Sequence, residues 1–242
     1  MMDMSLSTRI RERYLHVQEQ IVQAAQGSGR DSRAIRLVVV TKAQPMTVVQ
    51  AAVEGGARIL GENYAEEALD RIFALRQGYA VEWHMIGHVQ SRKAGLVAQH
   101  FDMLHSLDSL KLAARLDRYL SGFGRTMPVL LEANVSGEET KFGWSAWDEK
   151  RWSDLLPVFE QILAFPHLQV RGLMTMPPYF DDPERTRPFF RRLRRLQEYL
   201  QKNLPRPGWH ELSMGTSVDY VAAVQEGATV VRVGQAILGE RK

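Results

Sequence analysis

The sequence predicts an α/β fold, a single (β/α)8 TIM barrel with one extra helix before its first strand. Short runs rich in β-branched residues alternate with segments of helical periodicity, and this alternation occurs eight times. Repeated strand–helix units require a parallel sheet whose crossovers all have the same hand. The length of 242 residues matches the roughly 250 residues of one barrel. On pattern alone, an open doubly wound sheet is the alternative.

The individual elements follow from residue spacing and from turn residues. An opening helix is predicted by four apolar residues that share one helix face, Ile10, Tyr14, Val17 and Ile21. The first strand, 37–42, begins with a leucine and three valines, as expected for a strand buried on both faces. Gly55 and Gly56 mark the end of the next helix. The other strands are predicted at 58–62, 81–86, 103–106, 128–135, 170–176, 210–214 and 229–233, and the helices at 46–54, 65–76, 93–100, 109–120, 146–164, 183–203 and 218–226.

The chain is expected to form one domain, residues 1–242, because no linker or low-complexity segment interrupts the pattern. About nine residues follow the last strand, so the opening helix is expected to complete the outer ring. The start Met1-Met2-Asp3 lacks the pattern of a signal peptide. No apolar run approaches the roughly 18 residues of a membrane span. A cytoplasmic location is therefore expected.

Composition narrows the possible chemistry. The absence of cysteine excludes disulfides, thiolate catalysis and cysteine zinc sites. The net charge is only +3, but segment 185–206 concentrates eight basic residues. A nucleic-acid-binding surface is one interpretation of that segment. An amphipathic helix with a solvated basic face is favoured, because apolar residues recur inside it at helical spacing: Phe189, Phe190, Leu193, Leu196 and Leu200.

Polar residues gather where the predicted strands end. In a barrel of this kind the chemistry lies at the carboxyl ends of the strands. The residues at those ends include Lys42, Asn63, His84, His105, Asn134, Ser213, Arg232 and Gly234. Because polar groups are costly inside an apolar barrel, a ligand site at this mouth is predicted. His84, His88 and His105 lack the spacing of a zinc site, so no metal is predicted.

Lys42 ends a strand that contains three consecutive valines. Partial removal from water favours the neutral amine, which is a nucleophile towards carbonyl groups. The alternative is a lysine that reaches solvent or pairs with a carboxylate such as Glu62.

The last two strand-to-helix connections have the composition of a phosphate site. The segment from Ser213 to Ser217 carries three hydroxyls and Gly215, and Gly234 follows the last strand. Loops in these positions often bind phosphate through N–H groups at a helix start. Arg232 alternates with two valines, so its side chain is predicted on the opposite face of the strand from theirs. It either points into the barrel near the phosphate or points outward and pairs with an acid of a neighbouring helix. An amine for imine formation, a phosphate cradle and an inward arginine together suggest pyridoxal 5′-phosphate (PLP).

A series of motifs then resembles a known family. They are Val39-Val40-Thr41-Lys42-Ala43-Gln44-Pro45, Gly61-Glu62-Asn63-Tyr64, the histidine segment 83–90, His105-Ser106-Leu107-Asp108-Ser109, the segments 134–143 and 172–178, Leu212-Ser213-Met214-Gly215-Thr216-Ser217-Val218-Asp219 and Val231-Arg232-Val233-Gly234. In this order they resemble the pyridoxal phosphate homeostasis proteins (YggS/PROSC type). The resemblance runs from about residue 37 to residue 239.

The resemblance implies a barrel like the alanine racemase N-terminal domain, with PLP held as an internal aldimine on Lys42. It also implies phosphate contacts from Ser213, Gly215, Ser217 and the backbone at Gly234-Gln235, with Asn63 beside the cofactor and Arg232 facing the pyridine nitrogen. An arginine there leaves that nitrogen unprotonated, which makes the ring a poor electron sink and suits a carrier.

Three residues depart from the family pattern: Gln235, Thr216 and Arg92. Gln235 stands where a small hydroxyl residue is usual. The phosphate contact of that hydroxyl is therefore expected to be replaced by a backbone N–H or by the side-chain amide of Gln235. This change is expected to cost about 1 kcal/mol of affinity, the net contribution of one hydrogen bond.

The expected function is PLP buffering and delivery in vitamin B6 and amino-acid homeostasis, without substantial turnover. Alanine racemase has a second domain that supplies an opposite acid/base, and no counterpart of that domain is expected in the 242 residues given. The alternatives are a small PLP-dependent racemase and a Schiff-base aldolase. The expected partners are PLP and, transiently, PLP-dependent apoenzymes, but neither nucleic acid nor membrane. The sequence leaves a monomer and a weak dimer both open.

Overall fold

Eight parallel strands close into a barrel within residues 5–205 and 208–240, the part of the chain that the computed structural model describes. Each strand pairs with the next one along the chain, and the last pairs with the first, where Leu37 lies beside Val231. The barrel strands are β1 Arg36–Val40, β2 Ile59–Glu62, β3 Glu82–Met85, β4 Met103–Leu107, β5 Met127–Asn134, β7 Leu168–Met174, β8 Glu211–Ser213 and β9 Val230–Val233, with the short β6 Trp144–Ser145 beside β5. The predicted barrel is confirmed, and the open sheet is wrong because β4 pairs with β5 and β9 with β1.

Helices surround the barrel and cover its outer surface. They are α1 Leu6–Gly27, α2 Met46–Glu54, α3 Ala65–Arg76, α4 Ala94–His100, α5 Leu110–Gly122, α6 Leu156–Leu163, α7 Arg187–Asn203, α8 Tyr220–Gln225 and α9 Gln235–Leu238. The predicted apolar face of α1 is buried, and α1 packs against α2, α8 and α9. It therefore fills the gap that the four-residue α9 leaves in the outer ring. No helix in the described part of the chain is long and apolar enough to cross a membrane.

Two predicted helices begin later than the sequence pattern indicates, and a proline explains each start. Segments 149–155 and 183–186 form 3-10 turns, and the α-helices begin at Leu156 and Arg187. Pro157 and Pro188 lie in the first turn of these helices. Proline lacks an N–H and clashes with the carbonyl one turn earlier, so it is accommodated only at a helix start.

The basic segment forms an amphipathic helix, as predicted. In α7 the apolar face is buried at Phe190, Leu193, Leu196 and Leu200. Its arginines bind acids on neighbouring elements, since Arg187 and Arg191 both pair with Glu226. These ion pairs help to hold α7 against its neighbouring elements. Arg206, the last basic residue of the segment, lies outside the described residues.

Candidate functional site

A cavity of ≈ 690 Å³ opens at the carboxyl ends of the barrel strands. Its volume lies in the range of small-molecule sites. Of the eight predicted site residues, all within the described part of the chain, six line this cavity: Lys42, Asn63, Ser217, Arg232, Gly234 and Gln235. Ser213 and Gly215 lie behind that lining. The barrel therefore brings together residues that are up to 193 positions apart in sequence, from Lys42 to Gln235.

Lys42 lies in the turn just beyond β1, not in the strand as predicted, because β1 ends at Val40. The pairing of β1 with β2 places Lys42 and Asn63 at the same level of the barrel. Val40 pairs with Gly61, and Lys42 and Asn63 each lie two residues further along their own segments. Ala43, next in the chain, has a φ of 57°. For a residue with a Cβ this left-handed conformation is strained, and such strain is concentrated at functional sites.

Glu62, the carboxylate considered as a partner for Lys42, is held by other groups. Arg71 donates to its Oε1 from Nε at 3.1 Å, and the Thr41 hydroxyl donates to the same oxygen at 2.6 Å. Glu62 is 1% exposed. Burial raises the pKa of Glu62, against the opposing effects of Thr41 and Arg71. This carboxylate anchors the strand end that carries the site.

Arg232 points into the barrel, which is one of the two orientations that the sequence leaves open, and is 3% exposed. Its Nη1 donates to Ser213 Oγ at 2.5 Å, and its Nη2 donates to the Thr175 carbonyl at 2.9 Å and to Met176 Sδ at 2.8 Å. Burial lowers the pKa of Arg232 to about 10. The guanidinium therefore keeps its charge at neutral pH and presents a fixed cation to the cavity.

The two glycine-containing loops are tied together by Ser217. Its Oγ accepts hydrogen bonds from the backbone N–H groups of Gly234 at 3.1 Å and Ala236 at 3.2 Å. The hydroxyl proton is then available to a ligand oxygen. Gly215 has a φ of 91°, and a Cβ there would lie 2.5 Å from that of Ala223, so glycine is required.

Ser213 is placed differently from the other residues of its loop. It is fully buried, and its Oγ lies 2.9 Å from Nδ1 of His105 as well as 2.5 Å from Arg232. His84 lies deeper still, 3.0 Å from His105, instead of in the mouth where it is expected. Both histidines point into the barrel, and Ser213 supports Arg232 from below.

The three residues that depart from the family pattern lie at or near the same mouth. Thr216 and the exposed Gln235 line the cavity. Thr216 donates from its N–H and its hydroxyl to Asp219, at 2.6 and 3.0 Å. Arg92 is exposed outside the lining and donates to Gln90, which does line it, at 2.9 Å.

Glu132 is a site residue that the sequence reasoning missed. It lies near the end of β5, lines the cavity and is 7% exposed. Its Oε2 is buried without a hydrogen-bond partner among the described residues, as is Asn63 Oδ1. Burial, reinforced by Asp108, raises the pKa of Glu132 to about 7. The sequence feature that could have identified Glu132 is an acidic residue inside an otherwise apolar predicted strand.

The outer rim of the cavity is aromatic and charged. The His88 ring stacks on Phe142 with centroids 3.8 Å apart, and its Nδ1 lies 2.7 Å from Asp108. Lys141 lines this side of the cavity and places a positive charge at its rim. No group of three or more histidine, aspartate or glutamate side chains in the described ranges is arranged to hold a metal ion.

The model of the alanine racemase N-terminal domain family matches residues 16–242. A pyridoxal phosphate homeostasis protein of Aquifex aeolicus is 38% identical over 233 residues, which cover 96% of this chain and 98% of the relative. This chain belongs to the pyridoxal phosphate homeostasis protein family. The family predicted from the sequence motifs is therefore confirmed.

Solved members of the family share the fold closely. PipY of Synechococcus elongatus, in a structure without PLP, is 33% identical with a TM-score of 0.84, and the match covers 95% of this chain and all of PipY. The structure of PipY with PLP bound is 32% identical with a TM-score of 0.82 and the same coverage. The family barrel is thus present here over nearly its whole length.

The residues of this cavity fit a phosphorylated aldehyde of the PLP type. Lys42 offers an amine and Arg232 a fixed cation. Ser217 offers a hydroxyl between two glycine-containing loops. The unpartnered oxygens of Asn63 and Glu132 would gain partners from donors on a ligand. Each kind of group that such a molecule carries finds a complementary group on this lining.

Proposed function

We propose that this protein binds PLP, holds it covalently through Lys42, and buffers and delivers it without substantial catalytic turnover. The observation that carries the proposal is the single cavity that unites Lys42, Asn63, Ser217 and Arg232. The names of the family relatives and the PLP in PipY support it. The role is homeostasis of vitamin B6 and amino acids in the cytoplasm, with residues 1–242 acting as one domain.

The phosphate is assigned to the two loops that Ser217 ties together. Donors would come from the Ser217 hydroxyl, from the backbone around Gly215 and, within Gly234-Gln235, from the Gln235 N–H, because the Gly234 N–H already donates to Ser217 Oγ. The exposed Gln235 amide replaces the usual hydroxyl. Ser213 contributes indirectly, because its hydroxyl is engaged with Arg232 and His105. These donors would hold the phosphate at the ends of β8 and β9, and β9 pairs with β1, which leads to Lys42.

Arg232 is assigned to the pyridine nitrogen. A guanidinium with a pKa of about 10 keeps its proton at neutral pH and donates a hydrogen bond to an unprotonated nitrogen. PLP supplies an electron sink mainly when that nitrogen is protonated. A fixed arginine therefore suppresses carbanion chemistry and favours storage. Partner apoenzymes are proposed to receive the cofactor in transient contacts with a monomer or weak dimer.

The first experiment is the absorption spectrum of the purified protein before and after borohydride, compared with Lys42→Ala. The matched control is Lys111→Ala, which removes an exposed lysine of α5. The proposal expects a visible band that borohydride abolishes, with the reduced label on Lys42 by peptide mass. The control keeps the band. A protein that stays colourless with added PLP contradicts the proposal and favours the Schiff-base aldolase.

The second candidate function is PLP-dependent racemisation, and Glu132 is the observation that favours it. A carboxyl with a pKa of about 7 in the same cavity as Lys42 suits proton transfer near neutral pH. The assay is incorporation of solvent deuterium at the α-carbon of amino acids. Turnover of about 1 per second, the low end for ordinary enzymes, would establish the racemase and exclude the carrier role.

A further inference from the structure

A chain of hydrogen bonds crosses the barrel interior beneath the cavity. Glu82 Oε2 lies 3.3 Å from His84 Nε2, and His84 Nδ1 lies 3.0 Å from His105 Nε2. His105 Nδ1 lies 2.9 Å from Ser213 Oγ, which accepts from Arg232 Nη1 at 2.5 Å. The chain joins four strands, β3, β4, β8 and β9, and it ends at the guanidinium that lines the cavity.

The two ends of the chain meet different surroundings. The Glu82 side chain is 60% exposed at the start of β3, at the opposite end of the barrel from the cavity. The histidines, Ser213 and Arg232 are all at most 3% exposed. Barrel interiors are ordinarily filled with branched apolar side chains. A polar row through this interior is costly unless every member is hydrogen-bonded.

The chemistry of the two ends dictates the direction of every bond when both histidines are neutral. A carboxylate only accepts, so His84 carries its proton on Nε2 and accepts at Nδ1. His105 must then donate from Nε2 and accept at Nδ1. The Ser213 hydroxyl donates to that Nδ1 and accepts from Arg232. Arginine only donates, so the chain closes without a conflict.

Burial favours the neutral state of both histidines, and the charged groups around His84 act in both directions. Burial lowers the pKa of His84, against Glu82 and Asp102 and together with Arg36. Burial also places the pKa of His105 well below its usual value, and His84, Arg232 and Arg36 act in the same direction. The pKa of Glu82 is lowered by its hydrogen bond to His84. The end group is therefore a carboxylate at neutral pH.

We propose that His84, His105 and Ser213 form a polarised relay that positions the Arg232 guanidinium, with both histidines neutral and protonated on Nε2. The relay orders Arg232 before any ligand arrives, which lowers the entropic cost of binding. The expected effect of the relay on PLP affinity rests on the proposed function. The direction of the hydrogen bonds in the relay does not depend on that function. These are positioning residues, since they reach the cavity through Arg232.

The direct test is ¹⁵N nuclear magnetic resonance on the ligand-free protein labelled at its seven histidines. The relay expects two imidazoles that are neutral at pH 7 and in the Nε2–H form. It also expects a coupling across the histidine–histidine bond, with the proton attached to His105 Nε2. A proton on His84 Nδ1, or a charged imidazole in the pair at pH 7, overturns the proposal.

The second test is the PLP dissociation constant of Ser213→Ala, with Ser213→Thr as the variant that restores the hydroxyl. We expect about tenfold weaker binding for the alanine variant, a loss of the size of one hydrogen bond to a charged group, and recovery with threonine. Ser106→Ala is the matched control, because Ser106 is equally buried on β4 but donates to the Gly87 carbonyl at 2.6 Å. Equal losses for Ser213→Ala and Ser106→Ala contradict the positioning role.

The two tests separate the two proposals. If the wild-type protein does not bind PLP, the proposed function fails, while the tautomers of His84 and His105 still decide the relay. If PLP binds and the tautomers are reversed, the relay fails and the proposed function stands.

Discussion

Replacing Glu132 with glutamine should remove a pH-dependent loss of stability from the ligand-free protein. Glu132 is 7% exposed, and one of its oxygens has no partner in the described part of the chain. Burial raises its pKa from 4.5 to about 7. A raised pKa means that the folded protein holds the proton more tightly than the unfolded chain. The stability that this carboxyl contributes is therefore fully present below about pH 4.5 and is lost as the pH rises through about 7.

The size of the effect follows from the shift. Each pH unit between the unfolded and folded pKa costs about 1.4 kcal/mol. Between pH 5 and pH 8 the wild-type protein should lose about 2 to 3 kcal/mol relative to Glu132→Gln. The buried glutamine amide adds a cost of its own, but that cost does not change with pH, so it cancels in the comparison.

The assay is urea unfolding at pH 5 and pH 8, followed by tryptophan fluorescence. The quantity to compare is the difference in unfolding free energy between wild type and variant at each pH. Glu139→Gln, which removes an exposed carboxylate of the loop after β5, is the control and should show no change of that difference with pH. If Glu132→Gln behaves like the control, with a change below about 0.5 kcal/mol, the reasoning about this buried carboxyl is refuted.

Three further substitutions test the packing around the site. Gly215→Ala should destabilise the fold by about 2 kcal/mol or more in urea unfolding, because the residue has a φ of 91° and the new Cβ would lie 2.5 Å from another. Arg71→Met should cost about 3 to 5 kcal/mol at pH 7, since it leaves the buried Glu62 without its cation. That loss should shrink as the pH falls, because burial raises the pKa of Glu62 and protonation removes its buried charge. A loss that does not change with pH would contradict the ion-pair argument. Ser217→Ala should speed amide hydrogen exchange at the two N–H groups that its hydroxyl accepts from, at the start of α9. Unchanged exchange would show that this hydroxyl does not hold the loops together.

The sequence predicted the number and order of the barrel strands because parallel strands that are buried on both faces are continuous apolar runs. The valines of β1 are such a run, and β9 departs from it only at Arg232. Both strands formed within two residues of the prediction. Strand and helix ends were less predictable. The start of α6 depends on Pro157, and the two-residue β6 exists because Trp144 lies beside Ala133 of β5. A pairing between distant segments leaves no local periodicity.

The candidate site likewise contains residues that the sequence predicts and residues whose state it does not predict. Lys42, Asn63, Arg232 and the glycine-containing loops could be identified from the sequence, because each lies at or just after the carboxyl end of a strand, and those ends must face the mouth. The state of Glu132 could not be identified, since its pKa depends on burial and on Asp108, contributed by another part of the chain. The buried position of the Ser213 hydroxyl could not be predicted from the sequence either. Its hydroxyl turns away from the cavity because Arg232 and His105 bind it from two other strands.

The sequence by itself determined the barrel, the family and most of the candidate residues that meet at its mouth. These properties follow from local patterns, namely apolar runs, turn glycines and motifs in a constant order. Only the tertiary structure decided which of those groups are buried, which are paired, and which oxygens are left without partners. Burial and hydrogen bonding depend on distances between segments far apart in the chain, and closing the barrel sets those distances.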